Sequence, residues 1–568
     1  VAVNKAILSV IFCFFLLTSI AQEAPLQRIV TLNLRNASVV EMLEEIQEQC
    51  SVTFSYQSTI FSSSKKITIN KRDIRIHEVL LIALGNEYSY KQRGNYIIIK
   101  KEKNSDDVVI RGYVTSNTGK EIDKATVYDK KTLSSANTDE YGYYELRIEA
   151  KEIPSALYLS KLNYNDTLIA IDTTSNLYLS TLEQRSDSAI DFHLSTVSKL
   201  IKDQSMELSA FFVRLRPEIQ NINDTIYRDF QTSFVPFIGT NHKLSANVSN
   251  KYSFNILGGY SFETRAFELA GLFNFVETNV RSVQIGGLFN YTGQNQSGLQ
   301  IGGLFNHTRL NSKGLIIGGL FNYSDSLIKG MEIGGFTNIH PKGSNGFAIA
   351  GFANYSGGNS RGMALAGFAN VYRSNFKGLQ LSGFLNYAKT GGTQIGIVNI
   401  ADSLTGVPIG IFNFIRKGYN NIEVSYDEQQ FLNLEIRSGV NALYSRLLVS
   451  SNVLQSKETE WSYGYGMGSA PVLAKNLHLN IDLSAQHFLK SNHDTELDML
   501  GKLGIGLEYR MTPWISIFGM ATANASYREI NSEYTPYLTE QHYYESQVFD
   551  NGYQLNQWIG YKFGLRFF

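Results

Sequence analysis

The residues whose types could do chemistry are few and scattered. His487 and His493 stand six positions apart, a spacing two metal ligands could use. They fall near a strand end and in a loop, however, and the other histidines are dispersed. Gly464, Gly466 and Gly468 alternate with Tyr465 and Met467, which reads as a strand, since a nucleotide loop needs a helix after it. No Gly-x-Ser-x-Gly elbow and no phosphate-binding loop occurs. Cys50 falls at helical spacing with Val39, Leu43 and Ile46, so its thiol is expected in a core. His77, near a helix start, is expected as a solvated surface histidine. The expectation is a protein that is not an enzyme and has no catalytic, cofactor-binding or metal-binding residues.

What recurs instead is glycine and asparagine. Gly271 with Asn274 is followed by Gly287 and Asn290, Gly303 and Asn306, Gly319 and Asn322, Gly335 and Asn338, Gly351 and Asn354, Gly367 and Asn370, and Gly383 and Asn386. The step is 16 residues each time, and Gly396 with Asn399 and Gly410 with Asn413 follow at shorter steps. A second glycine recurs at Gly298, Gly314, Gly330, Gly346, Gly362 and Gly378. A fixed period of this kind demands a repetitive architecture.

Two architectures fit the repeat. In a membrane β-barrel each unit is one strand plus a turn, with Leu299, Ile301, Gly303 and Phe305 toward lipid and Gln300, Gly302, Leu304 and Asn306 toward the lumen. In a β-solenoid each unit is one coil, and the asparagines stack as an internal ladder. The segment after the repeat favours a barrel. Leu477, Leu479, Ile481 and Leu483 alternate with His478, Asn480, Asp482 and Ser484. Leu503, Ile505, Leu507 and Tyr509 alternate with Lys502, Gly504, Gly506, Glu508 and Arg510, and Ile422, Val424 and Tyr426 with Glu423, Ser425 and Asp427. One apolar and one charged face per strand is the pattern of a membrane barrel. The aromatic phase of the last strand falls on Phe567, with Phe568 one residue beyond it. The fold class expected is mainly β: a small α+β domain, a β-sandwich, then a large antiparallel outer-membrane barrel of about 18–20 strands built partly of the repeats. The alternative is a solenoid over 271–413 with an eight-strand barrel over 421–568.

The elements before the repeat set the compartment. Lys5, the apolar run Ala6–Leu17 and Ser19-Ile20-Ala21 read as a signal peptide over 1–21. No later stretch has 18 consecutive apolar residues, so no helical span is expected. Lys+Arg and Asp+Glu are both 51, which removes the basic surface that nucleic-acid binding needs.

Residues 28–102 read as an α+β unit. Its elements are a strand over 28–34, a capping box at Ser38 and Glu41, a helix carrying Val39 and Leu43, and a second strand and helix stopped by Gly85. A hairpin around Arg93-Gly94-Asn95 closes it. In that order of elements the unit resembles the secretin and TonB N-terminal short domain, which implies a periplasmic, partner-docking module. Residues 108–195 read as a sandwich. Gly112-Tyr113-Val114 and the run from Thr138-Asp139 through Gly142-Tyr143-Tyr144-Glu145-Leu146 resemble the carboxypeptidase regulatory-like domain, which is non-catalytic; a spacer and a binding module fit it equally. Residues 196–250 read as a linker, about 55 residues, too few for the plug of a TonB-dependent receptor. The repeats occupy 251–420 and the barrel strands 421–568. Together with Gly406–Phe414, this region resembles envelope proteins of Bacteroidota and leptospiral surface-repeat proteins. The resemblance implies an outer-membrane or surface location and no activity. The expected partners are outer-membrane lipid and a periplasmic protein. The function expected is a non-enzymatic outer-membrane barrel serving passive permeation, signalling or envelope organisation, or else a surface solenoid for adhesion or scaffolding.

Overall fold

A computed structural model describes residues 24–61, 65–101, 107–172, 177–185, 216–428, 432–451, 461–489, 498–529 and 545–568. The leader reading and His493 lie outside the described residues. The chain forms two compact units, one up to residue 227 together with 240–248, the other comprising 228–239 and 249 onward.

The first unit opens with two antiparallel strands, Ile29–Ser38 and Lys66–Arg75, each running into a helix, Val39–Cys50 and Ile76–Leu84. Ser38 ends the first strand because its hydroxyl accepts the Glu41 amide at 3.2 Å while the Glu41 carboxylate accepts the Ser38 amide at 2.7 Å. Gly85, at φ +76°, stops the second helix. Val30, Leu32, Leu43, Ile46, Ile69, Leu80 and Ile97 form the core, with Cys50 half-buried at its rim. The sandwich follows. Four strands, Thr167–Ala170, Ala156–Ser160, Thr126–Tyr128 and Ser135–Asn137, face three, Tyr178–Leu182, Asp107–Ser116 and Tyr143–Glu149. The turn read from Asp139 and Gly142 is present, with the Asp139 carboxylate accepting the amides of Tyr141 and Tyr143 at 3.0 and 2.9 Å.

The second unit is mainly β, as expected. Of the two arrangements that fit the repeats, it takes the solenoid. Each 16-residue unit makes two strands, not one: Ser312–Gly318, a Gly319-Leu320 turn, then Phe321–Ser324. Each strand pairs in parallel with its counterpart one coil later, as in Gly314↔Gly330 and Phe305↔Phe321. Two parallel sheets therefore face each other along the stack.

Asparagine fixes the register. The Asn306 side-chain amide donates to the Asn322 carbonyl oxygen at 2.9 Å and to the backbone carbonyl of Ile317 at 2.7 Å. The same pair of bonds recurs from Asn274 to Asn399, and the last rung, Asn413, donates to Ser445 at 2.5 Å. Glycine is a steric requirement here. A Cβ on Gly335 would lie 1.9 Å from the Gly319 carbonyl oxygen, and one on Gly346, at φ +142°, the same distance from that of Gly330.

The barrel closes with eight antiparallel strands: Asn421–Asp427, Leu432–Val440, Leu443–Ser451, Trp461–Ser469, Leu477–Leu489, Met499–Thr512, Ile515–Glu529 and Tyr553–Phe567. The last pairs with the first through Ile422↔Phe567 and Asp427↔Lys562. The 18–20-strand count is corrected accordingly. It took each repeat as one strand, whereas the repeat strands pair in parallel and never enter the barrel.

Gly335→Ala should destabilise the second unit by about 3 kcal/mol or more, since two backbones must separate to admit the methyl group. Gly501→Ala, whose Cβ meets nothing closer than 3.8 Å, should change stability by less than about 0.5 kcal/mol. Urea unfolding followed by β-sheet circular dichroism measures both.

Candidate functional surfaces: a charged lumen and an apolar exterior

Strand alternation sends every second side chain of the barrel inward, and many of those inward chains are charged, among neutral polar ones and a few apolar ones such as Leu500, Phe518 and Trp558. Arg437 reaches Glu423 at 2.5 Å and Asp482 at 3.0 Å. Arg446 reaches Glu435 at 2.8 Å, Arg566 reaches Glu423 at 2.8 Å and Glu508 at 2.5 Å, and Lys562 reaches Glu423 at 2.7 Å and also bonds Glu435. Lys502 meets Asp427 at 2.5 Å. The Arg437–Asp482 and Lys502–Asp427 pairs join strands that are not neighbours, so they brace the lumen from wall to wall. All these groups are buried. Five cations face five carboxylates, so the charge is compensated where desolvation would otherwise be prohibitive. Beside Lys502 and Lys562 the remaining cavity is about 10 Å³, roughly the room of one water. Gly466 and Gly468 lie on the same strand; a Cβ on Gly468 would touch the Tyr444 ring at 2.5 Å, so glycine makes room for a ring whose hydroxyl donates to Asp482 at 2.6 Å.

The outward face is the reverse. Ile422, Leu434, Ile436, Leu483, Leu503, Ile505, Tyr509, Tyr561 and Phe563 are all exposed. The faces read from the sequence at 422–427, 477–484 and 502–509 are the observed ones.

The solenoid has the same inverted polarity. Its interior holds the asparagine ladder and further polar groups: Gln300 donates to Gln284 at 2.8 Å, Gln394 to Gln380 at 2.9 Å, and His340 pairs with Glu332. Leu299, Ile301, Leu315, Ile317, Met331 and Ile333 point outward. At the Gly-Leu turns one large apolar side chain per coil projects into the open: Leu272, Leu288, Leu304 and Leu320, then Phe336, Phe352, Phe368 and Phe384, then Ile397 and Ile411, each 38–53% exposed. Neighbouring phenylalanines in this row stack with centroids 4.9 Å apart. Leu304 was expected to face a lumen; it stands at the turn because the Gly302-Gly303 pair ends one strand and starts the bend. The repeat residues read from the sequence are thus brought together: Gly271 to Gly383 line the turns and Asn274 to Asn386 form the ladder.

The other titratable cluster lies in the first unit. His77 is 4% exposed, not solvated as expected. Its Nδ1 lies 3.3 Å from the Tyr113 hydroxyl, and the Tyr143 ring stands edge-on at 4.2 Å. Burial, reinforced by the Arg111 guanidinium, lowers its pKa to about 3. The neutral imidazole packs the α+β module onto the sandwich, beside the Arg75–Glu121 ion pair at 2.9 Å. The amphipathic spacing of the helix gave no sign of this, since the ring is covered by Tyr90, thirteen positions on, and by Tyr113 and Tyr143 of the sandwich. His487 packs edge-on to Tyr463 at 5.7 Å, and among the described residues no group of side chains could hold a metal ion. No protein family, no curated protein and no solved structure matches this chain.

Arg437→Met should cost about 3 kcal/mol, because buried Asp482 loses its nearer cation and buried Glu423 loses one of three; unfolding of the second unit in urea measures it. Because the His77 pKa is lowered on folding, its contribution to stability is complete above about pH 6.5 and is lost as the pH falls toward 3. The helix signal, which reports the first unit, should melt at lower temperature at pH 4.5 than at pH 7. His77→Phe should shrink that difference. Glu78 and Asp139, both raised by burial, act in the opposite sense and are common to both proteins.

Proposed function

We propose that this chain is a non-enzymatic outer-membrane protein. Its barrel and solenoid anchor it at the membrane, and its two N-terminal modules face the periplasm and dock a protein partner. The observation that carries this reading is the polarity of the barrel, with a paired charged lumen and an apolar wall. Such a wall has no partner surface in the described residues, and lipid is the solvent it suits. Supporting the export reading is the basic and apolar leader pattern in the sequence. For the first module, the order strand, helix, strand, helix, hairpin supports the likeness to the secretin and TonB short domain. The seven-stranded sandwich supports the likeness to the carboxypeptidase regulatory-like domain. Among the roles open to such a protein, envelope organisation is favoured over passive permeation, because charged side chains cross the lumen rather than line an open channel.

The test is to express the full chain in a Gram-negative host, separate the membranes and run the outer-membrane pool on a gel with and without boiling. The expected result is an outer-membrane band that shifts on heating and loses the shift in Arg437→Met at moderate urea. A protein recovered in the soluble fraction, with no heat-dependent shift, would contradict the reading.

A further inference from the structure

The cross-section of the solenoid is graded from apolar to charged. At the tip stand the turn residues such as Leu304, Leu320 and Phe336, followed on the long-strand face by outward leucine, isoleucine and methionine. One step further from the tip, four coils carry an exposed cation: Lys313, Lys329, Arg361 and Lys377. The register stacks Lys313 on Lys329 and Arg361 on Lys377. Like charges in adjacent strands, about 4.8 Å apart, repel unless an anion lies between or above them. Polar loops such as Gly293–Asn295 close the coil on that side.

The apolar band fits within one leaflet. From Leu315 the strand runs three residue steps to Gly318, about 10 Å of extended chain, before the turn that carries Leu320, against about 15 Å for half a bilayer's hydrocarbon core. The contact with the barrel lies toward one end of its wall. The tip carbonyl of Gly410 accepts from Ser445 at 2.5 Å and from the hydroxyl of Tyr465, whose side chain reaches over from mid-strand, at 3.0 Å. The Tyr419 amide of the same coil donates to Gly439, beside the turn at 441–442. Ser445 pairs with Ser438, one rung from the Gly439–Tyr444 pair, so the last coil meets the wall near the barrel end that carries the short turns. A groove of about 730 Å³ lined by Tyr387, Ile400, Phe414, Ile422, Ile436 and Phe567 makes the two apolar surfaces continuous.

We propose that the solenoid is a lipid wedge, an inference that rests on the barrel spanning a membrane. Its leucine and phenylalanine tip lies among the acyl chains of the leaflet at the short-turn end of the barrel. The stacked cations hold the phosphates of phospholipid headgroups, as basic side chains do at membrane interfaces.

The full chain, with Cys13→Ser and Cys50→Ser, is reconstituted in vesicles of phosphatidylethanolamine and phosphatidylglycerol. Single cysteines are placed at Leu503 on the barrel wall, Leu320 at the tip and Asn311 in a loop, and each is labelled with bimane. Phospholipids brominated near the chain end should quench the labels at Leu503 and Leu320 by about half, and aqueous iodide should quench only the label at Asn311. The combined variant K313E, K329E, R361E and K377E should lower lipid quenching at Leu320 about twofold and leave Leu503 unchanged. Quenching by lipid at Leu503 with quenching by iodide at Leu320 would overturn the wedge and keep the spanning barrel. Iodide quenching at both would overturn both readings. Protection of Leu320 from both quenchers would place a second protein copy on the tip and overturn the wedge. Equal lipid quenching in the charge-reversed protein would overturn the headgroup contact.

Discussion

The structure of the second unit depends on hydrogen bonding that is completed inside. Each asparagine of the ladder binds its neighbour and a backbone carbonyl, and each charged group of the lumen is paired within reach of a counter-charge. Buried polar groups left unmade cost far more than made ones return, so both interiors tolerate little slippage. With these polar columns turned inward, the interior keeps some apolar side chains, such as Ile316, Ile328 and Phe376 in the coils and Phe518 and Met520 in the lumen, and the alternate positions of each strand carry the rest outward. The exterior of leucine, isoleucine and phenylalanine follows from the interior, and it sets the surroundings in which the unit can be stable.

Repetition turns one solution into ten. Two glycine columns let successive coils approach until a carbonyl lies where a Cβ would be, and at that spacing the side-chain amides of consecutive asparagines meet at about 2.9 Å. A stack of parallel strands leaves an open edge at its end. Here Ser438, Ser445 and Tyr465, polar residues on an otherwise apolar barrel wall, bond the final coil through Gly410 and Asn413. The barrel therefore caps the solenoid, and the solenoid covers these polar residues of the barrel wall.

Much of this was legible in the sequence, and particular residues show where legibility ended. Ser38 and Glu41 announced a helix start because a capping box is local. The alternation at 477–484 gave the barrel faces because a strand has period two. The period of 16 fixed a repeat but not the number of strands in it, since Gly302-Gly303 is equally a bulge or a bend. The recurring asparagines fitted the stacked alternative, and the ladder explains them: an amide in every unit at the same place is what a hydrogen-bonded column needs. His77 was misplaced because its cover comes from Tyr113 and Tyr143 on another module. The cation column was present at the same 16-residue step, Lys313 to Lys329 and Arg361 to Lys377, but its meaning required knowing that those positions face outward beside apolar ones.

The central claim is that polarity is inverted in both the barrel and the solenoid. It is tested most directly by methyl NMR of isoleucine-labelled protein in lipid nanodiscs. Ile505 on the barrel wall and Ile333 on the solenoid face should show cross-relaxation to acyl methylene protons, while Ile316 and Ile328, buried among the coils, should show none. Cross-relaxation from Ile505 and Ile333 to water rather than to lipid would contradict the account.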